Sequence, residues 1–380
     1  MIPKGFQFAG VRCGLKNKRR DFGLIVSDRP ASAAGVFTLN LVHAACIDYS
    51  RAALADGALR VVAVNSGNAN CATGEQGERD SRQMATLVAC ALGVSGEEVA
   101  VAHTGVIGHL LDMAKVEHGV TDAAAALGPD PKPFLEAILT TDLVEKSASC
   151  SLGEAIVFGA GKGSGMIAPN MATMLGFVVT DAVAAPEVLD RALRSAVDAS
   201  FHCLTVDGDT STNDMVLVLA NGASGFEPTE EELTVALTEV CVDLAKQIAR
   251  DGEGATKLLE VRVTGSDNPR LAAQTIANSP LVKTAMFGCD PNWGRIMAAA
   301  GRSGAQFDPR AATLILASQD EEHLLFEHGT PASFDPKRAS TALKSDHVII
   351  DLRLGEGDTA TIYTCDFGYG YVRINAEYHT

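Results

Sequence analysis

The segment Gly161–Phe177, GKGSGMIAPNMATMLGF, constrains the fold more than any other stretch of the chain. It lies near the middle and has the pattern of neither a helix nor a strand. Glycines surround Lys162 and Ser164, Pro169–Asn170 is a turn signal, and Met171–Leu175 is apolar apart from Thr173. So many glycines suit tight turning and close backbone approach around the segment that follows. A lone hydroxyl in that setting has two readings. Thr173 is either a β-branched residue leading into a strand over Gly176–Thr180, or a nucleophile. Local sequence alone favours the first.

A chain of 380 residues exceeds one small core, so two domains, or one large domain with an added lobe, are expected. The 47% hydrophobic and 21% charged content is that of a soluble globular protein. A formal net charge of −16 would repel a phosphate backbone, which argues against nucleic acid. The one basic run, Lys16–Arg20, reads as a solvated loop. Nine cysteines include no Cys-x-x-Cys pair, so no metal site is expected, and a reduced, cytoplasmic setting is. No apolar run is long enough for a bilayer, and the start, Met-Ile-Pro-Lys-Gly-Phe, has no secretory pattern.

Strands are expected at Leu24–Ser27, Arg60–Asn65, Val99–His103, Met215–Ala220 and Glu260–Thr264. Helices are expected at Gly77–Leu92, Asp122–Leu127, Pro186–Phe201, Glu230–Arg250 and Ala272–Met286, the fourth opened by a capping box of Thr229 and Glu232. From Asp308 the texture turns β-rich, with strands at Thr313–Ala317, Val348–Leu352, Ala360–Cys365 and Tyr371–Ile374. A smaller lobe is placed from about residue 290.

Individual motifs are weak. Gly159–Gly165 fails both nucleotide-loop templates, having serine at 164 and glycine at 163. Asp207–Asp214 resembles a calcium loop but has threonine at 212 where glycine is required, and reads as a polar turn. Thr104-Gly105, after a strand, pairs a hydroxyl with a glycine-flanked amide, as an oxyanion would need, but a plain turn is the simpler reading. Glu253 between glycines, and Thr140-Thr141-Asp142, are either solvated or substrate-facing. Trp293 reads as a packing anchor at a lobe junction.

Together the motifs point further. Lys162–Leu175, Thr205–Asp214, Asp251–Lys257, Ser279–Ala285, Asp290–Ile296 and the tail Tyr371–Thr380 closely resemble the ornithine acetyltransferase family, also called bifunctional glutamate N-acetyltransferase. The likeness runs from Pro3 to the last residue. It implies an α+β fold, an αββα sandwich with a smaller C-terminal α+β lobe, and self-cleavage between Ala172 and Thr173. The fragments would be 1–172 and 173–380, with 173–289 completing the sandwich and 290–380 forming the lobe. They would assemble as an α2β2 heterotetramer.

The resemblance implies further that Thr173 is the nucleophile and that Thr104 and Gly105 form the oxyanion hole. Thr140 or Thr141, Lys162, Thr173, Glu253, Asn375 and Thr380 would bind substrate. The reaction would move acetyl from N2-acetylornithine to glutamate without a resident cofactor, with acetyl-CoA open as a second donor. The family usually has serine where this chain has His103, a change expected to be neutral. Two alternatives stand beside this reading: a self-processing amidase or aminopeptidase that hydrolyses its acyl-enzyme, and a non-catalytic amino-acid-binding protein.

Overall fold

Buried β-branched runs alternate with amphipathic stretches along the chain, and the result is an α+β fold built on two mixed sheets. The computed structural model describes residues 1–168, 174–319 and 321–377. The described chain divides into two compact units, residues 1–202 with 209–244, and residues 203–208 with 245–377. This division differs from the lobe boundary near residue 290 expected from texture.

The first unit contains β1 (Phe6–Val11), β2 (Phe22–Phe37), α1 (Ala45–Ala53), β3 (Ala58–Asn68), α2 (Gly74–Leu92), β4 (Val99–Val106), α3 (Met113–Ala125) and α4 (Lys132–Ile138). It continues through β5 (Lys146–Leu152), β6 (Ala155–Lys162), β7 (Leu175–Thr180), α5 (Pro186–Ala199), β8 (Met215–Ala220) and most of α6 (Glu230–Arg250). The sheet order is β4-β3-β2-β8-β7-β6-β5, with β1 paired to β2. Strand β2 is 16 residues long and its register with β3 breaks between Val26 and Ala31. Its first part pairs with β1 and β3 and its last part with β8. One bent strand thus joins two halves of a sheet. Phe8 packs edge-on against Phe158, and Phe134 against Phe177, both with ring centroids 5.7 Å apart.

The capping box is present: Glu232 N donates to Thr229 Oγ1 at 3.2 Å, and Thr229 N to Glu232 Oε2 at 2.9 Å. Gly93 ends α2 in the left-handed region, where a helix stop needs it. The short helix expected at 122–127 is the end of α3. The glycine-rich stretch before Lys162 is not a loop, because Gly159 and Gly161 lie in β6. A Cβ on Gly159 would sit 2.6 Å from Val240 Cγ1 and 2.9 Å from Leu244 Cδ1, so this glycine lets α6 press onto the strand.

Lys16–Arg20 is a loop, exposed from Asn17 on as expected, but it is anchored by specific contacts. Lys16 Nζ donates to the Leu139 carbonyl at 2.8 Å, Arg19 to the Asp142 carbonyl at 3.2 Å, and Arg20 Nε to Glu136 at 2.8 Å. The run docks where α4 ends, where carbonyls lack intrahelical partners and the helix dipole favours cations.

The second unit holds β9 (Leu258–Thr264), α7 (Pro269–Ala277), α8 (Pro280–Phe287), α9 (Trp293–Gly301), β10 (Thr313–Ala317), β11 (Glu322–Glu327), β12 (Thr330–Pro331), α10 (Pro336–Ala342), β13 (His347–Arg353), β14 (Thr359–Cys365) and α11 (Tyr369–Glu377). Its sheet order is β12-β11-β10-β13-β9-β14. The single helix expected at 272–286 is two, because Ser279 caps a new helix whose first residue is Pro280. Trp293 is a packing residue, stacked on Phe326 at 5.5 Å inside this unit. The strand expected at 371–374 is helical. Phe367 stacks on Tyr371 at 4.6 Å and Phe287 meets Tyr369 edge-on at 5.7 Å, so aromatic packing overrides the weak β preference of Val372 and Ile374. Among the described residues no helix is long and apolar enough to cross a membrane.

Candidate functional site

Strands β3 and β4 run parallel, with Ser66 opposite Thr104 and Gly67 opposite Gly105, and their register is irregular at Gly67–Asn68. Gly105 has φ +132°, and a Cβ there would lie 2.3 Å from the Gly67 carbonyl carbon. Both the conformation and the close approach exclude any other residue. Thr104 is buried, and its Oγ1 accepts from Lys162 Nζ at 3.2 Å. Thr104 belongs to the edge strand β4 and Lys162 to β6, so the bent sheet brings its two distant parts together here. Because the threonine oxygen accepts from the ammonium, its own proton is directed elsewhere.

Lys162 is 2% exposed and is the last residue of β6. Asp142 organises the surrounding loop. Its Oδ1 accepts from Lys146 Nζ at 2.8 Å and from Gly163 N at 2.7 Å. Its Oδ2 accepts from Thr140 N at 2.9 Å and Thr140 Oγ1 at 3.3 Å. Burial on its own would raise the Asp142 pKa, but Lys162 and Lys146 hold the carboxyl well below the ordinary range. Of the threonine pair, Thr140 is tied into this network. Burial brings the nearby Lys16 ammonium down to about 8, against the pull of Asp21.

Across the sheet Lys162 pairs with Leu175, and Leu175 with Met215. This row places Met174 beside Asp214, whose Oδ1 accepts the Met174 amide at 3.0 Å. Burial pushes the Asp214 carboxyl well above its ordinary range, opposed by the Met174 amide and Lys162. Its neighbour Asn213 donates to the carbonyls of Ala69 at 2.8 Å and His103 at 2.9 Å. The polar turn expected at 207–214 therefore ends in two side chains buried in the first unit. A run of small polar residues gives no signal of that burial.

In the second unit Glu253 is 8% exposed and accepts from Asn375 Nδ2 at 2.8 Å. A Cβ on Gly254 would meet the Tyr371 nitrogen at 2.2 Å, so the start of α11 lies directly on this turn. Ala172, Thr173 and Thr380 lie outside the described residues.

The ArgJ family matches residues 7–380. The chain is 46% identical over 396 residues to the arginine biosynthesis bifunctional protein ArgJ of Thermotoga neapolitana, covering 100% of both chains. It is 48% identical over 397 residues to the protein of that name from Symbiobacterium thermophilum, covering 100% of this chain and 98% of the other. A crystal structure of the Bacillus halodurans protein of that name is 37% identical, covers 45% of this chain and 92% of its own, and gives a TM-score of 0.41.

Proposed function

The chain belongs to the ArgJ family, and from that premise we propose that it carries acetyl from N2-acetylornithine to glutamate through an ester on Thr173. It is an acyltransferase of arginine biosynthesis acting on small molecules. Self-cleavage before Thr173 frees an α-amine whose ordinary pKa is about 7.7–8.0, well suited to take the proton of its own Oγ. That oxygen attacks the acetyl carbonyl, ornithine leaves, and glutamate takes the acetyl group from the ester.

The observation that carries this reading is the 3.2 Å contact from Lys162 Nζ to Thr104 Oγ1 beside Gly105. With its oxygen engaged by a cation, the Thr104 hydroxyl is a polarised donor for the negative charge that develops on the carbonyl oxygen. The buried Lys162 charge also suits the carboxylate common to both substrates. Thr140 is assigned to substrate with Lys162, through the Asp142 network. Glu253, held by Asn375, suits the cationic end of ornithine, and Thr380 is assigned to substrate by resemblance. No resident cofactor is invoked. Acetyl-CoA is proposed as a second donor, in keeping with the bifunctional relatives. Cytoplasmic location and an α2β2 assembly of the fragments complete the proposal.

Intact mass should give two fragments, 1–172 and 173–380, and Thr173→Ala should stay whole and inactive. Purified protein should convert acetylornithine and glutamate to ornithine and acetylglutamate. Deacetylation without transfer would instead indicate a hydrolase, and an uncut, inactive wild type would indicate a binding protein. Acetyl-CoA with glutamate alone tests the second donor.

A further inference from the structure

Helix α11 carries Asn375, and it is short and mostly exposed, so contacts outside the helix must fix where that side chain sits. Asn375 Nδ2 donates twice, to Glu253 Oε2 at 2.8 Å and to the Tyr371 carbonyl one turn back at 3.1 Å. Both partners are acceptors, so the amide nitrogen faces them and the amide oxygen does not. The partner of Glu253 is therefore set by where Tyr371 stands. A Cβ on Gly370 would meet Gly254 Cα at 2.8 Å, so the turn bearing Glu253 is also in backbone contact with the start of α11.

What fixes Tyr371 is Phe367. Their rings stack with centroids 4.6 Å apart and planes 21° from parallel. Lys283 Nζ lies over the Phe367 ring, 4.6 Å from its centroid. A stacked ring and an amine at those distances cannot share one face, so Phe367 is held between Lys283 and Tyr371. Lys283 is itself a firm support. It is 1% exposed, and its Nζ donates to Thr364 Oγ1 at 2.6 Å and to the Cys365 carbonyl. Its own carbonyl accepts from Phe367 N at 3.2 Å. Lys283 thus grips Phe367 through both main chain and side chain.

We propose that Phe367 is a positioning residue for the cationic substrate, acting through Tyr371 and Asn375 on Glu253. This rests on the assignment of Glu253 to the cationic end of ornithine. Without the aromatic ring Tyr371 loses its stack, α11 loosens at the turn that leads to Asn375, and Glu253 loses its fixed partner. The carboxylate then meets the substrate ammonium in many orientations, where the intact stack holds it in one. Glu253 serves only one of the two substrates. In a double displacement, kcat/KM for each substrate reports its own half-reaction, so the two values separate a defect at Glu253 from a general loss.

The test is steady-state kinetics of the purified enzyme with each substrate varied in turn. Phe367→Leu should lower kcat/KM for acetylornithine at least fivefold and leave that for glutamate within twofold. Phe367→Tyr keeps the stack and should stay within twofold of wild type on both. Glu253→Gln should lose at least tenfold on acetylornithine, and adding Phe367→Leu to it should cost less than a further twofold. Equal losses on the two substrates, no loss in Phe367→Leu, or a fivefold loss that persists in Glu253→Gln would make the ring a packing residue only. Each of these overturns the inference while the proposed function stands. If Phe367→Leu does not fold, Tyr371→Leu, which removes the other ring of the stack and keeps the carbonyl, is read by the same ratio. A Glu253→Gln enzyme with wild-type acetylornithine kinetics overturns the inference together with the assignment of Glu253, but not the acetyl transfer. A wild type that transfers no acetyl overturns both.

Discussion

His103 and Thr104 are neighbours in β4 and face opposite sides of it, as successive strand residues must. Thr104 meets Lys162, whereas His103 turns towards α2, with Nε2 3.0 Å from Ser81 Oγ and Nδ1 on Asn65 Oδ1. Asn65 Nδ2 is fixed on the Asn68 carbonyl at 2.9 Å, so Oδ1 faces the ring and Nδ1 carries the proton. Burial lowers the His103 pKa to about 3. The ring is therefore neutral in the native protein, while in the unfolded chain it takes up a proton below about 6.5. Its contribution to stability is present above that pH and is lost as pH falls towards 3, at about 1.4 kcal/mol per unit. His103→Ser should destabilise at pH 7.5 by about 1–3 kcal/mol, because Asn65 and Ser81 lose their partner. By pH 5 the gap to wild type should narrow by about 2 kcal/mol. Urea unfolding of both proteins at the two pH values measures this, and a constant gap would mean that the native ring titrates normally.

Two glycines in strands make opposite predictions because of what lies over them. In β6, Gly159 faces the side chains of Val240 and Leu244 on α6. Gly159→Ala should cost about 1–3 kcal/mol, and Val240→Ala added to it should recover much of that loss in a double-mutant cycle. In β4, Gly105 faces the backbone of Gly67 and has a positive φ. Gly105→Ala should cost about 3 kcal/mol or more, with no side-chain truncation restoring it. Denaturant midpoints of the single and double variants decide both cases. The same contrast explains what was legible in the sequence. Elements with a strong local code could be read directly: α6 with its capping box, α2 with its Gly93 stop, and β8 with its continuous apolar run. Elements decided by distant partners could not. The contacts of Lys16 and Arg19 could not be read because the carbonyls they satisfy lie beyond residue 138, and Tyr371–Ile374 looked extended because its aromatic partners are tertiary. For the candidate site, motif resemblance supplied only a set of residue types. Its geometry was not legible, because Thr104 and Lys162 meet only when a 16-residue strand bends.

If the chain is cut as proposed, the sheet of the first unit dictates how the fragments must behave. Strands β1 to β6 precede Ala172, and β7 and β8 follow it. Two continuous ladders cross the proposed cut: β6 with β7, from Val157 opposite Thr180 to Lys162 opposite Leu175, and β2 with β8, from Ser32 opposite Ala220 to Phe37 opposite Met215. Breaking one peptide bond in the connection between β6 and β7 removes none of these hydrogen bonds. It also leaves apolar residues such as Leu217 and Phe177 buried among first-fragment residues in a single core. Separating the fragments would expose that core and open new sheet edges, which is far costlier than the chain entropy gained. The fragments should therefore co-elute under native conditions, at about twice the 39.7 kDa of one chain if the α2β2 assembly is correct, and part only in denaturant. Unfolding should reveal the cut through mass action. The midpoint of the cleaved wild type should rise with protein concentration by more than that of uncut Thr173→Ala, because its fragments separate as they unfold. Equal concentration dependence in the two proteins, or free fragments in native buffer, would show that the shared sheet does not hold the halves together.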